Sequence, residues 1–428
     1  MKLFAQQAWI QGQWAQQVLL EIDSTGHWTQ ITPNITTPPA DAQHKSTIVP
    51  GITNAHSHAF QRAMSALTER GSPEGDNFWR WRQTMYQIAL SITPDDLREI
   101  ATQLYRELLD GGYSHVCEFH YVHHDPQGRP YADPAEMCWA LVQAAQETGI
   151  GLTLLPTLYM HRGFGNPGLQ EDQRRFAGTP DMILDLQTRI QAYSQKNNLT
   201  HRLRAGVAIH SLRAVDPTSI RELTAALPKD TPIHIHIAEQ KKEVEDCLAH
   251  LGARPVQWLT EHIDIDHNWH LVHATHTTPQ EIQALAKTGA SVVICPTTEA
   301  NLGDGVFDLT SALKSNLSWS IGTDSHVNRD VSEELRLLEY SQRLTQHQRN
   351  IASNVTGGQQ ASATVLFERA LQGGHAASGL PLGGLAVGQR ADWFELDLTQ
   401  DNFWRIQPEH QLDAWIFSTP SAKLLRNQ

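Results

Sequence analysis

The stretch Ile48-Val49-Pro50-Gly51-Ile52-Thr53-Asn54-Ala55-His56-Ser57-His58 is an apolar run that ends in two histidines one residue apart. Side chains on a strand alternate faces, so His56 and His58 point the same way and can converge on one ion. The pair alone decides little, because 23 histidines in 428 residues supply about one His-x-His by chance. Its partners must come from elsewhere in the chain.

Outward from this stretch, strand-like apolar runs recur at 48–55, 114–119, 151–159, 204–209, 232–237, 269–273, 291–295 and 318–323. Helical periodicity fills the intervals, as in Leu97 to Leu109, Ala135 to Glu147, Met182 to Tyr193, Ile220 to Leu227, Glu243 to His250 and Pro279 to Lys287. Eight strands alternating with helices predict an α/β fold, a (β/α)8 TIM-like barrel. Before it lie short alternating segments, Gln7-Ala8-Trp9-Ile10 and Val18-Leu19-Leu20-Glu21-Ile22, broken by Gly12 and by a Pro/Thr-rich patch from Pro33 to Pro39. After it come two helical stretches, Glu333 to Arg343 and Ala361 to Leu371, a glycine-rich segment, Gly379 to Gly388, and the strand-like Ala391 to Asp397. We therefore expect a small β-sandwich domain built from both chain ends, residues 1–48 plus 375–428, and a metal-dependent barrel over 49–374.

Composition narrows the partners. A net charge of −13 without a Lys/Arg run argues against nucleic acid and anionic membrane surfaces, since phosphate binding needs clustered positive charge. Cys117, Cys138, Cys247 and Cys295 lie far apart and form no C-x-x-C, so they read as buried thiols of a reduced compartment. Met1 to Gln7 lacks the apolar core of a signal peptide and no run approaches the length of a membrane span, so a cytoplasmic protein is expected.

Barrel enzymes place their chemistry at the C-terminal ends of the strands, which makes a test. Strand 1 ends in His56-Ser57-His58, strand 2 in Glu118-Phe119-His120-Tyr121, strand 4 in His210-Ser211-Leu212-Arg213 and strand 5 in His234-Ile235-His236-Ile237-Ala238-Glu239. Strand 6 ends in His273 and strand 8 in Thr323-Asp324-Ser325-His326. Scattered core histidines would not select one end of each strand. Nitrogen and oxygen ligands without thiolate suit one Zn²⁺, with Fe²⁺ or Mn²⁺ as alternatives.

Alternation puts His234 and His236 on one face, so spacing leaves open which of them binds; His236 is favoured as nearer the strand end and three residues before Glu239. His234, His120, His123, His124, His262, His267, His270 and His276 read as structural or solvated histidines. With His56, His58, His236 and Asp324 as metal ligands, a position stays open for water, whose pKa the metal lowers to about 7. Asp324 and Glu239 stand where a base and an acid are needed for attack on a trigonal carbon and departure of a nitrogen, and His273 can polarise the reacting group.

These residues resemble the amidohydrolase superfamily: His-x-His closing strand 1, a His after strand 5, another after strand 6 and an Asp after strand 8. The Pro50-Gly51 lead-in, His236-Ile237-Ala238-Glu239 and the closing Gly384-Leu385-Ala386-Val387-Gly388-Gln389-Arg390-Ala391-Asp392 are similar to its mononuclear deaminase branch. No lysine closes strand 4, so one metal is implied rather than two. Within the branch, His56 to Met64, Phe78 to Arg82, Glu118 to His124, His210 to Val215 and His236 to Gln240 resemble the formimidoylglutamate deiminase family of histidine breakdown. Ile209 departs from it where proline is commoner.

The resemblance implies hydrolysis of N-formimino-L-glutamate to N-formyl-L-glutamate and ammonia by a cytoplasmic homodimer. It implies that Gln61, Arg82 and Tyr121 hold one carboxylate of this small dicarboxylate and Arg213 the other, with His210 on the reacting group. Cationic forks suit carboxylates, which independently favours Arg213, three residues beyond the strand-4 His; Arg80, Trp81 and Arg82 equally fit an exposed helix with a packed tryptophan, and it is the resemblance that favours Arg82. Trp79, Trp81 and Tyr86, in the aromatic-rich segment after strand 1, are expected to form a lid. A deaminase of a purine or other heterocycle on the same scaffold, and a catalytically silent barrel, are the alternatives. The first would need Asn/Gln edge readers in place of two arginines, and the second would be expected to have lost ligands.

Overall fold

The run from Ile48 to His58 does not stay in one sheet. A computed structural model describes residues 1–71, 78–354, 357–400, 403–418 and 424–425, leaving out the side chains of Phe78, Trp79 and Leu425. In it β4 (Gln43–Pro50) belongs to a small sheet while β5 (Ile52–Ser57) opens the barrel. Gly51 is the joint, and a Cβ there would lie 2.5 Å from the Ser114 hydroxyl, so a side chain would force the two sheets apart. The single strand expected at 48–55 is thus two, because an unbroken apolar run carries no mark of a change of sheet.

The small sheet joins both chain ends. It contains β1 (Lys2–Ile10), β2 (Gln13–Ile22), β3 (Trp28–Thr32), β4, β14 (Trp393–Leu396) and β15 (Leu424–Leu425), in the order β15-β14-β4-β1-β2-β3. Only β1 and β4 run parallel among these pairs. Leu3, Ala5, Val18, Leu20 and Trp28 give it a core of its own.

The barrel continues with β6 (Tyr113–His120), β7 (Gly151–Leu158), β8 (Leu203–Ala205), β9 (Val207–Ile209), β10 (Ile233–Ile237), β11 (Trp269–His273), β12 (Ser291–Ile294) and β13 (Ser318–Ile321). Every neighbouring pair is parallel, and the fourth strand, expected as one run, is broken into β8 and β9. Closure runs from β13 to β5: the amides of Thr323 and Asp324 both donate to the His56 carbonyl, at 3.1 and 3.0 Å. Gly322 permits this approach, since a Cβ there would stand 2.7 Å from the His56 Cβ. Closure therefore brings the last strand's exit onto the first strand's histidines.

Helices fill the intervals as the periodicity predicts. Pro94–Asp110, Glu136–Thr148, Pro180–Lys196, Pro217–Ala225, Lys241–Leu251 and Pro279–Thr288 bury one apolar face each. Several start on a capping Thr or Asp followed by proline, as Thr93, Thr179, Asp216 and Thr278 do. All four cysteines are free and buried. No helix among the described residues is long and apolar enough to cross a membrane.

Candidate active site

The end of β5, the end of β10 and the turn after β13 meet at one point. His56 Nε2 lies 3.2 Å from His58 Nε2 and 3.0 Å from His236 Nε2, and the last two are 3.3 Å apart. Asp324 Oδ1 stands 3.4 Å from both His56 and His58 Nε2. Donors placed tetrahedrally around an ion at about 2.1 Å would be about 3.4 Å apart, the spacing that these five separations approach, as one divalent metal would require. The four come from three strand ends that are remote in sequence and adjacent only because the barrel closes.

The surroundings aim the imidazoles inward. His58 Nδ1 donates to the Phe119 carbonyl at 2.8 Å and His236 Nδ1 to the His210 carbonyl at 3.0 Å, which leaves each Nε2 lone pair free for a cation. Burial, reinforced by repulsion among the rings, holds His56 and His236 well below the ordinary histidine range, and burial lowers His58 against the pull of Asp324. Neutral imidazoles are the form that binds metal. Asp324 (φ 47°) and His273 (φ 70°) take the left-handed conformation, and so does Ala238 (φ 51°) beside Glu239. Such geometry costs about 1–3 kcal/mol per non-glycine residue and concentrates where side chains are aimed at a site.

Glu239 and His273 face each other across this point. Glu239 Oε1 is 3.8 Å from His273 Nε2, which is itself 3.9 Å from Asp324 Oδ2. Burial raises the Glu239 carboxyl despite the opposing pull of His273. His273 would be lowered by burial, yet Glu239, Glu299 and Asp324 together raise it. The pair can thus hold a proton between them at neutral pH.

Three carboxylates outside the set read from the sequence hold it in place. Glu299 Oε1 receives His273 Nδ1 at 3.3 Å and the Cys295 amide at 2.9 Å. Glu243 accepts from the amides of Ala238 and Glu239, at 3.0 and 3.1 Å. Glu118 accepts from the Ser57 hydroxyl and the Ala59 amide, both at 2.6 Å, and burial pushes its carboxyl up to about 7. Glu118 closes strand 2 and was within reach of the strand-end rule. Glu243 and Glu299 sit inside the helices that follow strands 5 and 7, where that rule does not look.

One cavity gathers the remaining residues. Gln61, Arg82, Tyr121, His210 and Arg213 line it with His58, His236, Glu239, His273 and Asp324, while His56 is fully buried beneath. Gln61 Nε2 donates to the Tyr121 hydroxyl at 3.2 Å, tying the strand-1 exit to the strand-2 exit. Arg213 Nε is buried without a hydrogen-bond partner. Trp81 and Tyr86, expected in a lid, line the cavity as well; the Trp79 side chain lies outside the described residues.

The other histidines sit elsewhere. His123, His124, His234, His262 and His276 each donate to a backbone carbonyl, and His270 bonds the Ser291 hydroxyl at 2.7 Å. His120 is buried and His267 exposed, both away from the cavity.

Comparison with known proteins agrees with this geometry. Residues 47–426 match the model of the Amidohydrolase family. The chain is 45% identical over 418 residues to a formimidoylglutamate deiminase of Pseudomonas aeruginosa, covering 97% of this chain and 90% of that one. A crystal structure of an amidohydrolase from Brucella melitensis superposes with a TM-score of 0.93 at 41% identity, over 99% of this chain and 92% of that one. An adenosine deaminase from Xanthomonas campestris with bound zinc shares the fold at 19% identity, with a TM-score of 0.78 over 99% and 89% of the two chains. The chain belongs to the amidohydrolase family.

Proposed function

We propose that the chain hydrolyses N-formimino-L-glutamate to N-formyl-L-glutamate and ammonia, with one Zn²⁺ held by His56, His58, His236 and Asp324. The observation that carries this reading is that two arginines, Arg82 and Arg213, line the same cavity as His58, His236 and Asp324, whose ligand atoms gather around His56 Nε2. A dicarboxylate is the ligand that two cationic forks recognise. The 45% identity to a formimidoylglutamate deiminase supports the same substrate.

When bound, the metal supplies Lewis acidity and brings water toward its deprotonated form near neutral pH. Gln61, Arg82 and Tyr121 hold one substrate carboxylate and Arg213 the other, which sets the formimino carbon above Asp324. Asp324 Oδ2, the oxygen turned toward His273, accepts a proton from the attacking water. Glu239, its carboxyl raised by burial, delivers a proton to the terminal nitrogen. His273 Nε2 and His210 hydrogen-bond the reacting group and stabilise it as it becomes tetrahedral. A C–O bond forms, the terminal C–N bond breaks, and the nitrogen departs as ammonia.

We read the protein as a cytoplasmic homodimer serving histidine breakdown, which light scattering and fractionation test. The catalytic reading is tested by ammonia release from N-formimino-L-glutamate, N-formiminoglycine, guanine and adenosine with zinc-loaded protein. Turnover is expected for the first alone; no release from it, or equal release from N-formiminoglycine, contradicts the dicarboxylate assignment.

A further inference from the structure

Behind the cavity, the short helix Glu171–Phe176 carries Gln173, which is fully buried. Both hydrogens and the oxygen of its side-chain amide are engaged. Oε1 accepts from the Gln170 amide at 3.0 Å, and Nε2 donates to the hydroxyls of both Tyr86 and Tyr159, each at 2.9 Å. The orientation of the amide is decided by Gln170, whose backbone N–H can only donate and so requires the oxygen opposite it.

This has a chemical consequence. Both phenols line the cavity, and both spend an acceptor lone pair on Gln173. Gln173 Nε2 donates to both hydroxyls and accepts neither hydrogen, so each O–H is left for a partner other than Gln173. An anion needs donors, and a phenol whose acceptor side is filled offers one. The Tyr86 ring lies 5.2 Å under the Arg82 guanidinium, and the Tyr159 ring packs at 4.1 Å against His210. The same short helix is latched to the helix Phe78–Ser91, which bears Arg82: Arg175 donates to the Ile92 carbonyl at 2.7 Å and to the Ala89 carbonyl.

We propose that Gln173 is a positioning residue for substrate recognition: it orients Tyr86 and Tyr159 as hydroxyl donors toward the substrate's anionic end and, through the Tyr86 ring, sets the Arg82 guanidinium. The inference rests on the dicarboxylate reading above.

Gln173→Glu tests it, because a carboxylate of the same size takes the hydroxyl hydrogens away from the cavity and adds repulsion to an anion. For N-formimino-L-glutamate, KM is expected to rise about tenfold or more with kcat changed less than about threefold, as befits hydrogen bonds to a charged group. Gln173→Leu, which frees the phenols without reversing them, is expected to raise KM less than Gln173→Glu does. Tyr86→Phe is expected to raise KM in the wild-type background and by less than about twofold in the Arg82→Met background. Glu and Leu variants that shift KM equally, or a Tyr86→Phe effect undiminished without Arg82, would overturn it. If the wild type itself releases no ammonia from this substrate, the substrate reading fails. The positioning claim is then judged by a crystal structure of Gln173→Leu: displacement of the Tyr86 hydroxyl and of Arg82 supports it, and both unmoved overturns it.

Discussion

Two layers of histidine stand one above the other inside this barrel. In the lower layer, His234 on β10 is paired in register with His270 on β11, their rings 4.8 Å apart. In the upper layer, His236 is one pleat further along the same strand, beside His56 and His58. Both layers are buried and both are lowered by burial. They differ in what the ring nitrogens face. His234 Nε2 donates to the Ala377 carbonyl at 3.0 Å, and His270 Nδ1 meets the Ser291 hydroxyl. In the upper layer His58 and His236 are anchored through Nδ1, His56 Nδ1 is buried without a partner, and the three Nε2 atoms point at one another with a carboxylate oxygen beside them. Lone pairs so close repel unless a cation lies between them. Composition and burial do not separate the two layers; the convergence of three ring nitrogens on one point does.

Breaking the upper layer should have the largest effect. His236→Ala or Asp324→Asn is expected to abolish stoichiometric zinc and to lower kcat/KM by about 10³ or more, measured by metal analysis beside ammonia release. Next is the residue proposed to carry the proton: Glu239→Gln should leave zinc content at one per chain while kcat falls about 10²- to 10⁴-fold. Smaller again, and separate from the metal, Arg213→Met should keep zinc and raise KM for N-formimino-L-glutamate about tenfold to a hundredfold, as loss of a charge-assisted contact does. The lower layer gives the smallest change in activity: His234→Leu is expected to alter kcat/KM by less than about threefold. Its cost appears in denaturant unfolding, as about 1–3 kcal/mol, because the Ala377 carbonyl loses its imidazole donor and keeps only the weak Cys117 thiol at 3.7 Å. A His234 variant that lost zinc with its fold intact would erase the distinction between the layers.

Much of the upper layer was legible in the sequence because the barrel rule converts position into function: a polar residue at a strand's C-terminal end faces the site. His56, His58, His236, His273 and Asp324 are all visible that way. Spacing could not choose between His234 and His236, since alternation places both on the inner face; the choice depends on where β10 stops relative to β11. Two of the helper carboxylates, Glu243 and Glu299, were hidden for another reason. Glu299 lies four residues beyond Cys295 inside the helix Pro296–Leu302, and its carboxylate reaches back to His273 only after the helix packs. Gln173 sits in a connection with no periodicity, and its contacts lie 87 and 14 residues away in the chain. The change of sheet at Gly51 escaped because a strand of the small sheet and a strand of the barrel read alike when both are apolar.

The measurement that bears most directly on the upper layer is a zinc titration of chelator-stripped protein, with binding heat and ammonia release from N-formimino-L-glutamate followed together. We expect both to break at one equivalent per chain in the wild type, and neither to do so in Asp324→Asn. Full activity in the stripped protein, or a break only at two equivalents, would contradict a single catalytic metal held by His56, His58, His236 and Asp324.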